Sequence, residues 1–250
     1  MTGLREFNPH IWLNEIELEE FAVRSALIAG DERVVVWDTL SHPRDMQAFL
    51  PLIQNRELCI VYSHADWDHI WGTAGLPYPG RLIVGHSAGE KRFASDVPKT
   101  LQERLDGGLP GGYEIKLVKP NLTFQSEISI DLGSIRLNLH TLTGHTSDCI
   151  VAFIPKLGIL LGGDTFETPF PVINEDSPLE TWIAGLQRWA DDPRVQTVIP
   201  AHGAIGGREI IRDNIRYLRN IREGVDIELP DGLTDFYRQT HQENLRYREQ

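Results

Sequence analysis

Cysteine is scarce in this chain. It has two in 250 residues, Cys59 and Cys149, each inside an apolar strand-like run and far apart in sequence. That rules against a disulfide framework and predicts buried, reduced thiols in a reducing compartment. Long hydrophobic runs are missing as well: no stretch approaches the ~18 apolar residues of a membrane span. The opening MTGLREFNPHIWL carries charge and proline where a secretion signal needs an apolar run, so a cytoplasmic location is expected. Basic residues are in deficit, 24 Lys and Arg against 36 Asp and Glu, for a net charge of −12. Such a field repels phosphate backbones and anionic membrane surfaces. Nucleic acid and membrane are therefore not expected as partners, and small molecules are. No repeat, low-complexity tract or linker divides the sequence, so one domain over residues 1–250 is expected.

What is present is an ordered series of strand-like and helix-like segments. IWLNEIEL, AVRSALIAG and RVVVWD read as strands, RDMQAFLPLI has helical spacing, and LCIVYS reads as a buried strand that runs directly into HADWDH. RLIVG is a further strand. The stretch HSAGEKRFASDVPKTLQERL reads as helix interrupted at Pro98. From Leu122 a second block of sheet is predicted (LTFQSEISI, SIRLNLHTL, CIVAFI, KLGILLGGD). A helix over SPLETWIAGLQRWADD, a strand in RVQTVIPAHG and amphipathic helices follow.

The chemistry concentrates at strand ends. In His64-Ala-Asp66-Trp-Asp68-His69 an extended backbone would turn His64, Asp66 and Asp68 the same way, with His69 brought in by curvature. His145 in LTGHTSD, Asp164 in LLGGDTF and His202 in VIPAHG each close a strand-like run beside glycine, which allows the tight bends that bring a side chain onto a cation. Four imidazoles and three carboxylates suit borderline divalent ions, zinc foremost, with iron or manganese also fitting the set. Of the other histidines, His10, His42, His86, His140 and His241 are read as surface or hydrogen-bonded structural residues. Trp67 is read as packing first and pocket second, and Cys149 as core.

In motif, order and placement the chain resembles the metallo-β-lactamase superfamily along nearly its whole length. The resemblance implies an α+β fold, the four-layer αββα sandwich. It also implies two divalent metal ions, one held by His64, Asp66 and His145 and the other by Asp68, His69 and His202, with Asp164 bridging. Asp38, after VVVWD, matches the strand-ending Asp that supports the metal loops. Asp66 departs from the family pattern, where a second histidine is usual. Its negative charge is expected to stabilise a dication at the first position while reducing that ion's power to acidify water. The implied activity is hydrolysis of a small ester, thioester or lactone by hydroxide held between two metals, with Asp68 as the catalytic residue that orients the nucleophile and passes its proton on. A histidine-to-carboxylate exchange also occurs in flavodiiron proteins, so a di-iron redox protein acting on oxygen or nitric oxide is the alternative. A non-catalytic ligand-binding relative is another. Flavodiiron proteins carry a flavodoxin-like domain, for which this chain has no second phosphate-binding loop.

Overall fold

The computed structural model describes residues 3–53 and 56–249. Its first sheet holds β1 (Gly3–Asn8), β2 (Ile11–Glu17), β3 (Ala22–Ala29), β4 (Arg33–Trp37), β5 (Glu57–Val61), β6 (Leu82–His86) and β7 (Leu122–Phe124), side by side in chain order. Pairing is antiparallel from β1 to β4 and parallel from β4 to β7. The second sheet holds β8 (Glu127–Asp131), β9 (Arg136–Thr141), β10 (Ile150–Ile154), β11 (Ile159–Gly163) and β12 (Thr197–Pro200). Its strands also lie in sequence order, and β11 and β12 are parallel.

Alternation along the strands builds the layers. Val35 of β4, Val61 of β5, Ile150 and Ala152 of β10 and Leu161 of β11 meet between the sheets. Val34, Val36 and Ile60 face the opposite way, onto a layer containing α3 (Gly89–Phe93) and α4 (Asp96–Asp106). On the far side Val151, Phe153 and Val198 pack against Trp182 and Leu186 of α5 (Leu179–Asp191) and Ile211 and Leu218 of α6 (Glu209–Glu223). With both faces covered, central strands must be apolar throughout, which is why RVVVW and IVAFI show no polar alternation. The architecture is the expected αββα sandwich.

Several local expectations are corrected. Strand β1 gave no clear signal because none of its residues is buried and Leu4, an apolar one, is exposed. LTFQSEISI is not one strand: Gln125 and Ser126 separate β7, in the first sheet, from β8, in the second. RDMQAFLPLI forms a 3₁₀ helix over Pro43–Phe49 and then the short α1 (Leu50–Ile53). Pro98 lies in the first turn of α4, where its missing N–H costs nothing, and the break falls at Ala94–Ser95 instead. No helix among the described residues is long and apolar enough to cross a membrane.

Candidate metal centre

All seven motif residues gather at one end of the sandwich. His64 follows β5, and Asp66 sits in extended backbone as the N-cap of α2 (Trp67–Ile70), whose first turn carries Asp68 and His69. The extended-strand expectation therefore holds for His64 and Asp66 only, and a helical turn delivers the other two. His145 lies between β9 and β10, Asp164 directly follows β11, and His202 follows β12. The first sheet thus supplies four of the seven and the second sheet three.

The side chains form two groups with Asp164 between them. His64 Nε2 is 3.4 Å and His145 Nε2 3.0 Å from Asp66 Oδ2, and Asp164 Oδ2 lies 3.6 and 3.8 Å from those same nitrogens. On the other side, His69 Nε2 and His202 Nε2 lie 3.7 and 3.5 Å from Asp68 Oδ2, and 3.2 and 3.3 Å from Asp164 Oδ1. Each oxygen of one carboxylate faces its own pair of imidazoles.

The far side of each imidazole is occupied. His69 Nδ1 meets Asp38 Oδ2 at 2.9 Å, His145 Nδ1 the Val172 carbonyl at 3.0 Å, and His202 Nδ1 the Ala22 carbonyl at 2.7 Å. His64 Nδ1 meets Ser63 Oγ at 3.0 Å, and that hydroxyl donates onward to Asp38 Oδ2 at 2.8 Å. Such partners fix the proton on Nδ1 and leave Nε2 as a lone pair aimed into the site. His64 Nε2, His69 Nε2 and Asp164 Oδ1 are buried without any hydrogen-bond partner. Buried polar atoms are normally satisfied, so this set fits absent cations, and three triads of these residues have ligand atoms within 4.8 Å of one another.

Electrostatics agree. Burial opposes charge on His145 and His202, yet contact with Asp66 lifts the former to about 9 and Asp164 lifts the latter to about 10. Burial likewise opposes charge on His69, and Asp164, Asp68 and Asp38 still hold it well above the ordinary range. Asp66 and Asp164 are held well below the usual carboxylate range despite burial, by His64 and His145 for the former and by His69, His202 and His64 for the latter. Without a cation His69, His145 and His202 are thus biased toward holding a proton in its place.

Glycine does have the role expected at two of the strand ends. Gly163 adopts φ +52°, and a Cβ there would sit 2.5 Å from Ser63 Oγ, inside the support for His64. Gly203 adopts φ +85° and leaves no room for a Cβ beside Thr168. Asp38 is completely buried and accepts from Ser63 N at 2.7 Å besides its other bonds, as its supporting role requires. The other histidines have structural partners: His10 the Ala29 carbonyl, His42 the Gly111 carbonyl, His86 the Gln125 carbonyl, His140 Glu127, and His241 Tyr217. Cys149 is buried core. Trp67 both packs against Trp71 and walls a cavity.

Three supports had no readable signal. Arg24 of β3 reaches across to the Pro200 and Gly203 carbonyls at 2.6 and 2.8 Å, bracketing His202. Asn244 on α7 (Asp235–Leu245) bonds Ile173 N and the Pro171 carbonyl, at 2.8 and 2.9 Å, on either side of Val172. Arg92 of α3 donates to Asp66 Oδ1 at 2.6 Å. Each sits 26 to 179 residues from the groups it bonds, in segments that read locally as ordinary strand or helix.

The model of the metallo-β-lactamase superfamily matches residues 18–202, and the chain belongs to that family. Its members bind divalent metal ions, typically zinc, and the chemistry is of the metallo-hydrolase class. Among curated proteins it is 28% identical over 159 residues to the human acyl-coenzyme A thioesterase MBLAC2, a match spanning 55% of this chain and 56% of that protein. Among solved structures, a metallo-β-lactamase from Pontibacter korlensis superposes with a TM-score of 0.67 at 18% identity, covering 88% of this chain and all of that one. The sec-alkylsulfatase Pisa1 from Pseudomonas sp. gives 0.69 at 18% identity, covering 88% of this chain and 41% of that one. These likenesses establish the fold.

Proposed function

We propose that this protein is a hydrolase of small ester-type substrates, thioesters first, working with two divalent ions. The observation that carries the reading is Asp164, whose two oxygens face separate imidazole pairs, each with one unpartnered nitrogen, that of His64 or His69. His64, Asp66 and His145 would hold the first ion, Asp68, His69 and His202 the second, and Asp164 both. When bound, such a pair lowers the pKa of water and polarises a carbonyl oxygen. The protein's own part is to hold its ligands in place from behind, as Asp38, Ser63 and the Val172 and Ala22 carbonyls do here. Asp68, facing His69 and His202, takes up the proton of the attacking water and returns it to the departing oxygen or sulfur.

The surroundings support an acyl substrate. A cavity of about 230 Å³ is walled by Leu18, Phe21, Trp67, Trp71 and Leu109 and also by charged Glu19, Glu20, Arg44 and Arg104, and the Phe21 ring lies edge-on to His202 at 5.1 Å. Its apolar residues suit an acyl group. A polar cavity of about 460 Å³ lined by Asp66 itself, with Lys91, Arg92, Asp96, Asn174 and Asp176, suits a hydrophilic leaving group. The thioesterase relative points the same way. Burial raises the Cys59 thiol to about 12 and Cys149 well above its usual value, so both stay protonated and neither serves as a nucleophile.

Asp66 favours one other reading, a di-iron redox centre. Metal analysis of protein purified without added metal, with an absorption spectrum, separates the two. Turnover of thioesters, aryl esters and lactones that vanishes on chelation and returns with zinc is the expected result. A metal-loaded protein inert to the whole panel would sink the hydrolase reading.

A further inference from the structure

Arg92 touches three carboxylates. Its Nη2 donates to Asp66 Oδ1 at 2.6 Å, its Nη1 to Asp148 Oδ1 at 3.2 Å, and Nε and Nη2 to Asp96 Oδ2 at 3.0 and 2.7 Å. Asp148 is buried, accepts from Thr146 Oγ1 at 2.8 Å, and belongs to the loop that carries His145. One guanidinium therefore ties the loop bearing His64 and Asp66 to the loop bearing His145.

Two physical consequences follow. First, Arg92 occupies Oδ1, so Asp66 presents only Oδ2 toward His64 and His145, at 3.4 and 3.0 Å. A free carboxylate rotates and can offer either oxygen or both, whereas one pinned by a planar, fixed-geometry donor offers a single atom in a single direction, as an imidazole does. Second, the guanidinium, shared among Asp66, Asp96 and Asp148, offsets part of the negative charge that Asp66 brings to the first position.

We infer that Arg92 is the positioning residue that allows an aspartate at position 66: pinned by Arg92, Asp66 acts as a single-atom ligand in place of a histidine. The inference rests on the metal reading above. It makes a prediction about sign that a plain structural clamp does not. With Asp66 present, Arg92 aids metal binding. With a neutral imidazole there instead, Arg92 has no ligand to position, and its positive charge, still shared with Asp96 and Asp148, only opposes a nearby dication.

The test is a zinc titration of metal-stripped protein against a chromogenic chelator, in the parent, Arg92→Met, Asp66→His and the double variant. The step to follow is the one lost in His145→Ala. Arg92→Met should weaken that step about 10- to 100-fold, the usual effect of removing a ligand's supporting partner, and leave the other step unchanged. In the Asp66→His background, Arg92→Met should instead tighten the step several-fold. Equal weakening in both backgrounds would reduce Arg92 to a loop clamp and overturn the inference, as would no effect in the parent. If Arg92→Met does not fold, Arg92→Gln removes the charge, keeps a donor, and must show the same reversal. A parent that binds no zinc would overturn the metal reading itself, a result distinct from two zinc ions bound with no reversal.

Discussion

Asp38→Asn is the most informative perturbation of the supporting shell, because it changes one atom and keeps the shape. Asp38 adopts φ 61°, a conformation that Asn tolerates, so backbone strain does not enter. Its Oδ1 accepts from Ser63 N at 2.7 Å, while Oδ2 accepts from Ser63 Oγ at 2.8 Å and His69 Nδ1 at 2.9 Å. An amide must place NH₂ at one of these positions. The backbone N–H of Ser63 cannot accept, so the amide nitrogen takes the Oδ2 place. There Ser63 Oγ can turn its proton away and accept, but His69 Nδ1 must also become an acceptor. The ring proton then moves to Nε2, 3.2 Å from Asp164 Oδ1, where the second metal position needs a lone pair.

Metal binding in Asp38→Asn therefore has to force Nδ1–H against an amide N–H, giving up a charge-assisted hydrogen bond of about 1.5–3 kcal/mol in a buried site. That corresponds to roughly 10- to 100-fold weaker binding at the second position, with the first unchanged. The metal-free protein largely avoids this penalty, because its ring proton can sit on Nε2 while Nδ1 accepts the amide N–H, so its Tm should fall by less than that of the zinc-loaded protein. Zinc titration and a melting curve measure both. Two zinc ions bound as tightly in Asp38→Asn as in the parent would refute the tautomer argument.

Three further outcomes follow from the geometry. Asp164→Ala should reduce zinc stoichiometry more than Asp38→Ala, because Asp164 faces both imidazole pairs; equal stoichiometry in the two variants would remove Asp164 as the shared ligand. His145→Ala and His202→Ala should each lose one zinc equivalent and nearly all turnover while keeping a parent-like circular dichroism spectrum, since neither belongs to a core cluster; parent-like turnover in either would contradict the assignment. The third concerns pH. His145 and His202 are raised from 6.5 to about 9 and about 10 in the metal-free fold. Their contribution to stability is complete below 6.5 and is lost as pH rises through those values, whereas that of the depressed Asp66 and Asp164 is lost on the acid side. Metal-free protein should therefore melt progressively lower from pH 7 to pH 10, and zinc-loaded protein much less so; a flat metal-free profile would count against the coupled cluster.

Much of this was legible because the signals are local. Continuous apolar runs marked the central strands, and each strand ended at a residue type that binds cations, so the site and the sandwich emerged from one pattern. The failures have a common cause in distance along the chain. Nothing in LTFQSEISI tells that its two halves pair in different sheets, because that depends on which partner edge each half meets. The single-direction rule for HADWDH failed because Asp66 caps a helix rather than continuing a strand. Arg92 looks like any charged residue on an exposed helix until α3 is docked beside Asp66. The charge balance of the first position follows from that docking and could not be reached from the motif alone.

The division of the site between the two sheets has a mechanical side. His64, Asp66, Asp68 and His69 hang from one sheet, while His145, Asp164 and His202 hang from the other. The gap between them is therefore gauged by the side chains sandwiched in the middle, among them Ala26 and Ala152 set between larger neighbours. Packed sheets lie about 10 Å apart, whereas ligand distances to a metal tolerate only about 0.2 Å. The apolar interior acts as a shim: one extra methylene at Ala152, well away from any ligand, spreads the jaws that the two sheets form. The geometry of the candidate site is in that sense written partly in hydrocarbon, in residues that are not among its ligands.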